Sequence, residues 1–294
     1  MQKGIITCIH SNQYDIKVNQ ETYTCVARGK WKKEQITPVV GDNVAITITN
    51  EVKKEGVMEQ IEPRSNFLKR PKIANLTQMI FVVSMNMPKP DLLLLDKQLA
   101  FAMFNQIEPI ICINKVDLAT SEEVLKIETI YQKAGYLVIC TNAKQGESIQ
   151  ALKEVLQGNV TAFAGNSGVG KSTLINCIFE NTITEEGNIS KKNQKGKNTT
   201  TAITLYEIAP NSYIADTPGF STFSIEEIES SELANYFQEF KPWTCNCEFV
   251  GCSHQKEEHC GIKEAVEKGK ISQERYANYC KIYQELKERE EHRW

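Results

Sequence analysis

The sequence contains no run of eighteen apolar residues, and a membrane-spanning helix needs roughly that length. Its first residues, Met-Gln-Lys-Gly-Ile-Ile-Thr, contain no apolar segment of the kind that a secretory signal carries. An excess of one charge is also missing, because 34 basic residues stand against 37 acidic ones and give a net charge of −3. These absences predict a cytoplasmic protein with no membrane partner. They also exclude binding to nucleic acid that is driven by the net charge of the whole chain.

The composition lacks the bias of a disordered or fibrous protein, since 41% of the 294 residues are apolar and 24% are charged. At roughly 100 to 200 residues per domain, this length allows two or three domains. We predict three, at residues 1–64, 65–223 and 224–294. The last region has a composition of its own, with 10 basic and 15 acidic residues.

Short segments of alternating apolar and polar residues characterise residues 1–64. Examples are the sets Tyr14, Ile16, Val18 and Val44, Ile46, Ile48. About five such strands fit a small closed β-barrel of the OB type, which commonly binds oligonucleotides. We therefore predict an OB-fold RNA-binding domain here.

A basic stretch in this region contains Arg28, Lys30, Lys32 and Lys33 around Trp31. Basic residues with an aromatic ring among them are the combination that binds single-stranded RNA, through phosphate contacts and base stacking. The alternative is a solvated loop in which Trp31 belongs to the barrel core or its rim.

From about residue 73, buried strands alternate with helices. The strands are predicted at Met79–Val83, Ile110–Ile113, Leu137–Cys140, Val160–Ala164, Ile203–Ile208 and Tyr213–Ala215, and the helices at Asp91–Asn105, Ser121–Ala134, Ser148–Leu156 and Lys171–Phe179. This alternation predicts a doubly wound α/β sheet covered on both faces. Helical patterns at Glu226–Phe240, Ile262–Lys268 and Gln273–Arg289 predict a mainly helical final domain.

A glycine-rich segment follows the strand Val160–Ala164 and matches G-x4-G-K-S/T. Its nucleotide-binding candidates are Gly165, Asn166, Ser167, Gly168, Val169, Gly170, Lys171, Ser172 and Thr173. In such a loop backbone N–H groups surround phosphates, Lys171 reaches the β- and γ-phosphates, and Ser172 ligates Mg²⁺. The alternative is a glycine-rich turn with an unrelated lysine, but the strand before the motif and the helix after it favour a phosphate site.

Two further segments complete a predicted switch. Asp216-Thr217-Pro218-Gly219 follows a buried strand, where a carboxylate holds Mg²⁺ and the Gly219 N–H senses the γ-phosphate. Alone, D-x-x-G is also found in ordinary turns. Among the three threonines at positions 199–201, one is expected to close on Mg²⁺, and Thr200 and Thr201 are the candidates.

Guanine recognition is predicted at two strand ends. The segment Asn114, Lys115, Val116, Asp117 follows one strand, and Asn142 with Ala143 follows the next. Asp117 can accept two hydrogen bonds from guanine that adenine cannot offer, and the Ala143 N–H can meet guanine O6. Alone, N-K-x-D is also a plausible solvated turn.

The order of these motifs differs from that of ordinary GTPases. N-K-V-D begins at Asn114, before the phosphate loop at Gly165, whereas ordinary GTPases place it after D-x-x-G. The same set in rotated order predicts a circularly permuted P-loop GTPase domain, which a compact domain with neighbouring termini tolerates.

A metal site is predicted in the final region, where Cys247, Cys252, His254 and Cys260 form C-x4-C-x-H-x5-C. Three thiolates and an imidazole suit a structural, tetrahedral Zn²⁺. Cys245 and His259 are nearby competitors that spacing does not eliminate. The alternative is a surface loop with reduced cysteines.

Together these motifs resemble the RsgA family, also called YjeQ or YloQ, along essentially the whole chain. The resemblance implies an N-terminal OB domain, a permuted GTPase domain and a zinc domain. It also implies late maturation of the small ribosomal subunit, with GTP hydrolysis stimulated by that subunit, rRNA contacts near the decoding region and release after hydrolysis. It implies zinc ligands Cys247, Cys252, His254 and Cys260, and we expect a monomer.

The sequence departs from the family pattern before and after its switch segments. Many members have G-R-H-T-T-T where this chain has Gly196-Lys197-Asn198 before its threonines, and no histidine follows D-T-P-G closely. Phe220 also stands where Ras-like enzymes carry the glutamine that orients water. We expect slow intrinsic turnover that a partner accelerates.

Two other interpretations of the motifs stay open. One is an RNA-binding checkpoint in which GTP hydrolysis only triggers release. The other is a metabolic or redox P-loop ATPase that uses its cysteines chemically; guanine preference and a tightly held zinc would exclude it.

Overall fold

The computed structural model describes residues 1–29, 31, 37–186, 203–216 and 225–292. Several predicted residues lie outside this part of the chain: Lys30, Lys32, Lys33, Thr199, Thr200, Thr201, Gly219 and Phe220. Among the described residues, no helix has both the length and the apolar character needed to cross a membrane.

A closed barrel forms the N-terminal part, with strand order β1-β2-β3-β5-β4. Its strands are β1 (Gln2–His10), β2 (Gln13–Val18), β3 (Glu21–Ala27), β4 (Asn43–Asn50) and β5 (Glu55–Ile61). Alternate side chains point inward and form the core, which confirms the predicted barrel; they include Ile6, Ile16, Val44, Ile46 and Met58. Trp31 is only 4% exposed and packs in this core, so the prediction that it stacks on a base is wrong and the core alternative holds.

The central domain contains a six-stranded sheet with the order β10-β9-β8-β11-β13-β12, preceded by a hairpin of β6 (Phe67–Lys69) and β7 (Lys72–Ala74). Its strands are β8 (Gln78–Ser84), β9 (Glu108–Asn114), β10 (Leu137–Thr141), β11 (Val160–Ala164), β12 (Thr204–Ala209) and β13 (Ser212–Asp216). All neighbours pair in parallel except β12 and β13. One half of the sheet thus comes from β8–β10 and the other from β11–β13, with β8 and β11 meeting between them.

Four helices connect these strands: α1 (Leu92–Phe104), α2 (Ser121–Lys133), α3 (Ile149–Leu156) and α4 (Lys171–Glu186). Their starts follow from local sequence. The Asp91 carboxylate accepts the Leu94 N–H at the start of α1, and Thr120 with Glu123 forms the predicted capping box of α2. Two apolar clusters, one on each face of the sheet, confirm the predicted α/β architecture.

The C-terminal region contains α5 (Gly261–Glu267) and α6 (Gln273–Glu291). The helix predicted over Glu226–Phe240 is wrong, because short 3₁₀ segments, Ser230–Tyr236 and Gln238–Phe240, take its place. Phe237 between them is extended, and its ring packs 5.2 Å from that of Phe240 in the local core. Burial of both rings stabilises this arrangement by more than the helix propensity of the segment would stabilise a continuous helix.

A buried ionic cluster joins this region to α1. Arg275 of α6 donates to Asp96 Oδ1 at 2.5 Å and to both oxygens of Glu239 at 2.5 and 2.9 Å. Asp96 also accepts hydrogen bonds from Tyr131 and Asn278, at 2.9 and 2.7 Å. Because the Arg275 side chain is 2% exposed, these contacts are shielded from water and fix the C-terminal region against the central domain.

Candidate functional site

The glycine-rich loop lies between β11 and α4, and two of its glycines are required by the backbone. At Gly165 φ is +136°, and an added Cβ would lie 2.3 Å from the Val82 carbonyl oxygen. At Gly170 φ is +103°, and a Cβ would lie 2.3 Å from Asn114 Nδ2. Only glycine fits both positions, because larger residues would be strained and would collide with neighbouring groups.

Lys171 opens α4 and turns back over the loop. Its Nζ donates to the carbonyl oxygens of Gly165 at 2.7 Å and Asn166 at 2.9 Å. Partial burial lowers the pKa of this ammonium. Ser172 and Thr173 follow and are exposed at the start of the helix, so their hydroxyls are accessible beside the loop.

Asn114, at the end of β9, links three predicted nucleotide-binding segments. Its Nδ2 donates to the Val169 carbonyl oxygen of the glycine-rich loop at 2.9 Å. Its Oδ1 accepts from Thr141 Oγ1 at 3.1 Å and from the Ala143 N–H at 3.3 Å. This buried amide therefore holds N-K-V-D, the glycine-rich loop and the Thr141–Ala143 segment together. The predicted contact of the Ala143 N–H with guanine O6 stays a prediction.

The neighbours of Asn114 extend this connection. Lys115 has a left-handed backbone, and its Nζ donates to the carbonyl oxygens of Met87 and Gly168. Val116 and Asp117 follow in a 3₁₀ turn, which leaves the Asp117 carboxylate exposed. Asn142 is 2% exposed, and its Nδ2 has no hydrogen-bond partner in the part of the chain that the structure describes.

Sequence reasoning missed one contact at this site. Cys177 on α4 donates through Sγ to the Ala143 carbonyl oxygen at 3.2 Å, and so ties the helix after the glycine-rich loop to the predicted base loop. The motifs carry no signal for it, because the two residues are 34 positions apart. Both residues belong to the same apolar cluster on one face of the sheet, and packing of that cluster brings them together.

Asp216 is the last residue of β13, which pairs in parallel with β11. Because parallel strands end at the same edge, Asp216 lies on the edge from which the glycine-rich loop leaves β11. Asn114 and Thr141 end two other strands at this edge. The carboxyl ends of strands in an open α/β sheet are where such folds bind ligands.

A separate cluster lies in the C-terminal region. Ligand atoms of Cys247, Cys252, His254 and Cys260 all lie within 4.8 Å of one another. Cys247 Sγ is 3.5 Å from His254 Nδ1 and 4.0 Å from Cys260 Sγ. His254 Nδ1 is 3.4 Å from Cys260 Sγ. A tetrahedron with metal–sulfur bonds of about 2.3 Å has edges of about 3.8 Å, so this cluster could hold a metal ion.

Hydrogen bonds fix the loop that carries these ligands. The Tyr276 hydroxyl donates to the His254 carbonyl oxygen at 2.7 Å, and the Tyr279 hydroxyl donates to that of Ser253 at 3.0 Å. Burial raises the pKa of Glu257, but backbone N–H donors outweigh it and lower the pKa to about 2. The two competitors, Cys245 and His259, lie outside the cluster of ligand atoms.

Burial also favours the protonated, neutral form of the cysteine thiols. It raises the pKa of Cys252 to about 12, so a nearby cation is what would stabilise a thiolate there. Away from the cluster, burial raises the pKa of Cys112 to about 12 and that of Cys25 to about 11. Thiols of this kind are poor nucleophiles, which disfavours chemical use of these two cysteines.

Family models match most of the chain. The model for the RsgA GTPase matches residues 61–226, and the model for the RsgA N-terminal domain matches residues 3–58. The chain belongs to the RsgA GTPase family. Among relatives in this family, the small ribosomal subunit biogenesis GTPase RsgA of Alkaliphilus metalliredigens is 41% identical over 98% of this chain and 98% of its own length. The small ribosomal subunit biogenesis GTPase RsgA of Agathobacter rectalis is 42% identical over 92% of this chain and 89% of its own length.

Solved structures of RsgA relatives have the same fold. YjeQ from Thermotoga maritima superposes with a TM-score of 0.84 at 36% identity, covering 97% of this chain and 98% of that one. YloQ, described as a circularly permuted GTPase, superposes with a TM-score of 0.83 at 34% identity, covering 98% and 96%. The resemblance found in the sequence is therefore confirmed, and so is the circular permutation.

Proposed function

We propose that this chain is a GTPase that binds the small ribosomal subunit, assists its late maturation and hydrolyses GTP to GDP and phosphate. The observation that carries the proposal is the Asn114 amide, which connects the glycine-rich loop with the Thr141–Ala143 segment, the proposed phosphate-binding and base-binding segments. Membership of the RsgA GTPase family and the names of the relatives support the ribosomal role.

In the proposed nucleotide site, different segments at the strand ends bind the phosphates, the base and Mg²⁺. Backbone N–H groups of the glycine-rich loop and the Lys171 ammonium hold the phosphates, while Asp117 and the Ala143 N–H select guanine. Ser172, Asp216 and one of Thr200 and Thr201 would hold Mg²⁺, which neutralises phosphate charge when bound. The Gly219 N–H senses the γ-phosphate.

The partner in this proposal is the small subunit and its rRNA, with the chain acting as a monomer. Phe220 cannot orient a water molecule, because its ring has neither a donor nor an acceptor. We therefore expect slow hydrolysis by the isolated chain, acceleration on the subunit and release once GDP is formed.

The test is the GTP hydrolysis rate of the purified full chain alone, with small subunits and with large subunits, using ATP as the control nucleotide. We expect small subunits to stimulate GTP hydrolysis roughly tenfold or more, with little effect of large subunits and little hydrolysis of ATP. Equal stimulation by both subunits, or a fully active isolated chain, would contradict the subunit dependence.

The second part of the proposal assigns one structural Zn²⁺ to Cys247, Cys252, His254 and Cys260. Four protein ligands fill a tetrahedral shell and leave no position for a reacting molecule. Zinc would then hold a loop whose neighbours pack into the core of the C-terminal region.

Replacing one ligand should release this zinc. We expect Cys260→Ser to lower the bound metal from about one zinc per chain to near zero, because closed sites depend on the complete ligand set. The measurement is elemental analysis of the purified full chain. Cys245→Ser is the matched control, since this exposed thiol lies outside the cluster, and its zinc content should not change. Equal zinc loss in both variants would contradict the assignment.

A further inference from the structure

A small cavity lies between the glycine-rich loop, α1 and the end of β8, and it is partly open to solvent on the side of Lys89 and Asp91. Its volume is about 10 Å³, close to the minimum that one water molecule needs. Its walls include Val82, Ser84, Leu94, Gln98, Gly165 and Asn166. The cavity is therefore bounded on one side by the first residues of the proposed phosphate site.

Gln98 is the unusual residue of this cavity. Its side chain is 2% exposed, yet Nε2 has no hydrogen-bond partner among the described residues. An amide donor that is buried without a partner is costly, and native proteins commonly satisfy such groups with an internal water. The amide thus points to a ligand that accepts a hydrogen bond.

The cavity also offers groups that a water molecule could bind in turn. The Ser84 hydroxyl donates its proton to the Asn86 carbonyl oxygen at 2.6 Å, so its own oxygen can still accept. Gly165 and Asn166 also line the cavity, and their backbone adds further polar groups. A buried water usually makes two to four hydrogen bonds, and this set is sufficient.

We propose that one buried water occupies this cavity and that Gln98, acting through it, is a positioning residue for the first turn of the phosphate loop. Lys171 already binds the carbonyl oxygens of Gly165 and Asn166. The water holds the same turn from the α1 side, so the turn is fixed between a helix and a lysine. This role rests on the proposed function, because it concerns the site at which GTP would bind.

The position of the water determines which step it affects. The first turn of the loop surrounds phosphates that GDP and GTP share, so a looser turn weakens both nucleotides alike. Uniform weakening raises KM and leaves kcat at saturation nearly unchanged. The base-binding segments lie at other strand ends, so the preference for guanine over adenine is unaffected.

The test compares Gln98→Met with Gln78→Met in the full chain. Both substitutions replace a buried glutamine by a side chain of similar length without an amide. Gln78 lies at the opposite end of β8, where it bonds to the Val155 carbonyl oxygen and Thr161 Oγ1. The measurements are Kd values for GDP and for a non-hydrolysable GTP analogue, with KM and kcat for GTP.

We expect Gln98→Met to weaken GDP and the analogue by the same factor, roughly 5- to 10-fold, with kcat within about twofold of the unmodified chain. Gln78→Met should reduce stability without changing either Kd. Unchanged affinities in Gln98→Met, or equal losses in both variants, would overturn the positioning role.

A crystal structure of the unmodified chain with GDP provides a measurement that does not depend on a variant folding. Density for a water within hydrogen-bond distance of Gln98 Nε2 is expected, and a dry cavity would overturn the proposal. If the unmodified chain bound no guanine nucleotide at all, the proposed function would fail instead, and the two failures are thus distinguishable.

Discussion

Replacing Arg275 with Met should destabilise the folded chain by about 3–5 kcal/mol, because the substitution leaves two buried carboxylates without their counter-charge. Asp96 and Glu239 both bind the guanidinium and are almost completely buried. Burial alone would lower the pKa of Arg275, but these two carboxylates raise it well above its usual value. The cation is thus an integral part of the folded state.

Aromatic rings add to this effect. The guanidinium carbon lies 4.9 Å from the centre of the Phe237 ring and 5.3 Å from that of Tyr131. Cation–π contacts of this kind are stronger when they are shielded from water. Methionine fills much of the same volume, so the loss measured for Arg275→Met reports mainly on the missing charge.

The measurement is the free energy of unfolding from urea titration, and Lys97→Met is the matched control. Lys97 of α1 pairs with Glu285 of α6 at 2.5 Å, so it joins the same two helices, but both partners are partly exposed. Exposed pairs contribute about 0–1 kcal/mol. A loss for Arg275→Met no larger than that for Lys97→Met would show that the buried cluster does not hold the helices together.

Replacing Lys171 with Ala should weaken GTP binding by about 3 kcal/mol, or roughly 100-fold in Kd, and should abolish measurable hydrolysis. Charge-assisted hydrogen bonds to phosphate oxygens contribute about 1.5–3 kcal/mol each, and the ammonium can contact both the β- and γ-phosphates. Hydrolysis loses more than binding, because negative charge redistributes over the phosphates in the transition state.

Binding of a fluorescent GTP analogue and single-turnover hydrolysis would measure both losses. Lys133→Ala is the control, since Lys133 is an exposed lysine at the end of α2. Its Kd and hydrolysis rate should equal those of the unmodified chain. If Lys171→Ala bound GTP with unchanged affinity, the assignment of residues 165–173 to the phosphates would be wrong.

Local patterns predicted most of the central domain, because the physics that fixes them is also local. The apolar run Val160–Ala164 with glycines after it gave β11 and the loop, and the spacing of Thr120 and Glu123 gave the start of α2. The alternation in residues 1–64 gave the barrel. In each case the determining residues are only a few positions apart in the chain.

Long-range packing decided what those patterns missed. Asp96 and Arg275 are 179 positions apart, and a charged helix such as α6 has the composition of a solvent-facing element. Trp31 sits among basic residues, yet it is buried because the barrel core accepts its ring. Spacing alone also left Cys245 and His259 as metal-ligand candidates, and the folded loop places together the ligand atoms of the four residues that the family resemblance implied.

The division of the sheet into two halves sets the order in which a new chain can assemble it. Strands β8, β9 and β10 are complete at Thr141, whereas β11 begins at Val160 and β13 ends at Asp216. Chains are synthesised from the N-terminus, so the half carrying N-K-V-D exists first. The bond from Asn114 to the Val169 carbonyl oxygen, across the junction of β8 and β11, can therefore form only after β11 and the loop that follows it have been synthesised. A nucleotide bound across that junction would therefore connect the early half of the sheet to the late one, and would stabilise the sheet only once residues of both halves have been synthesised.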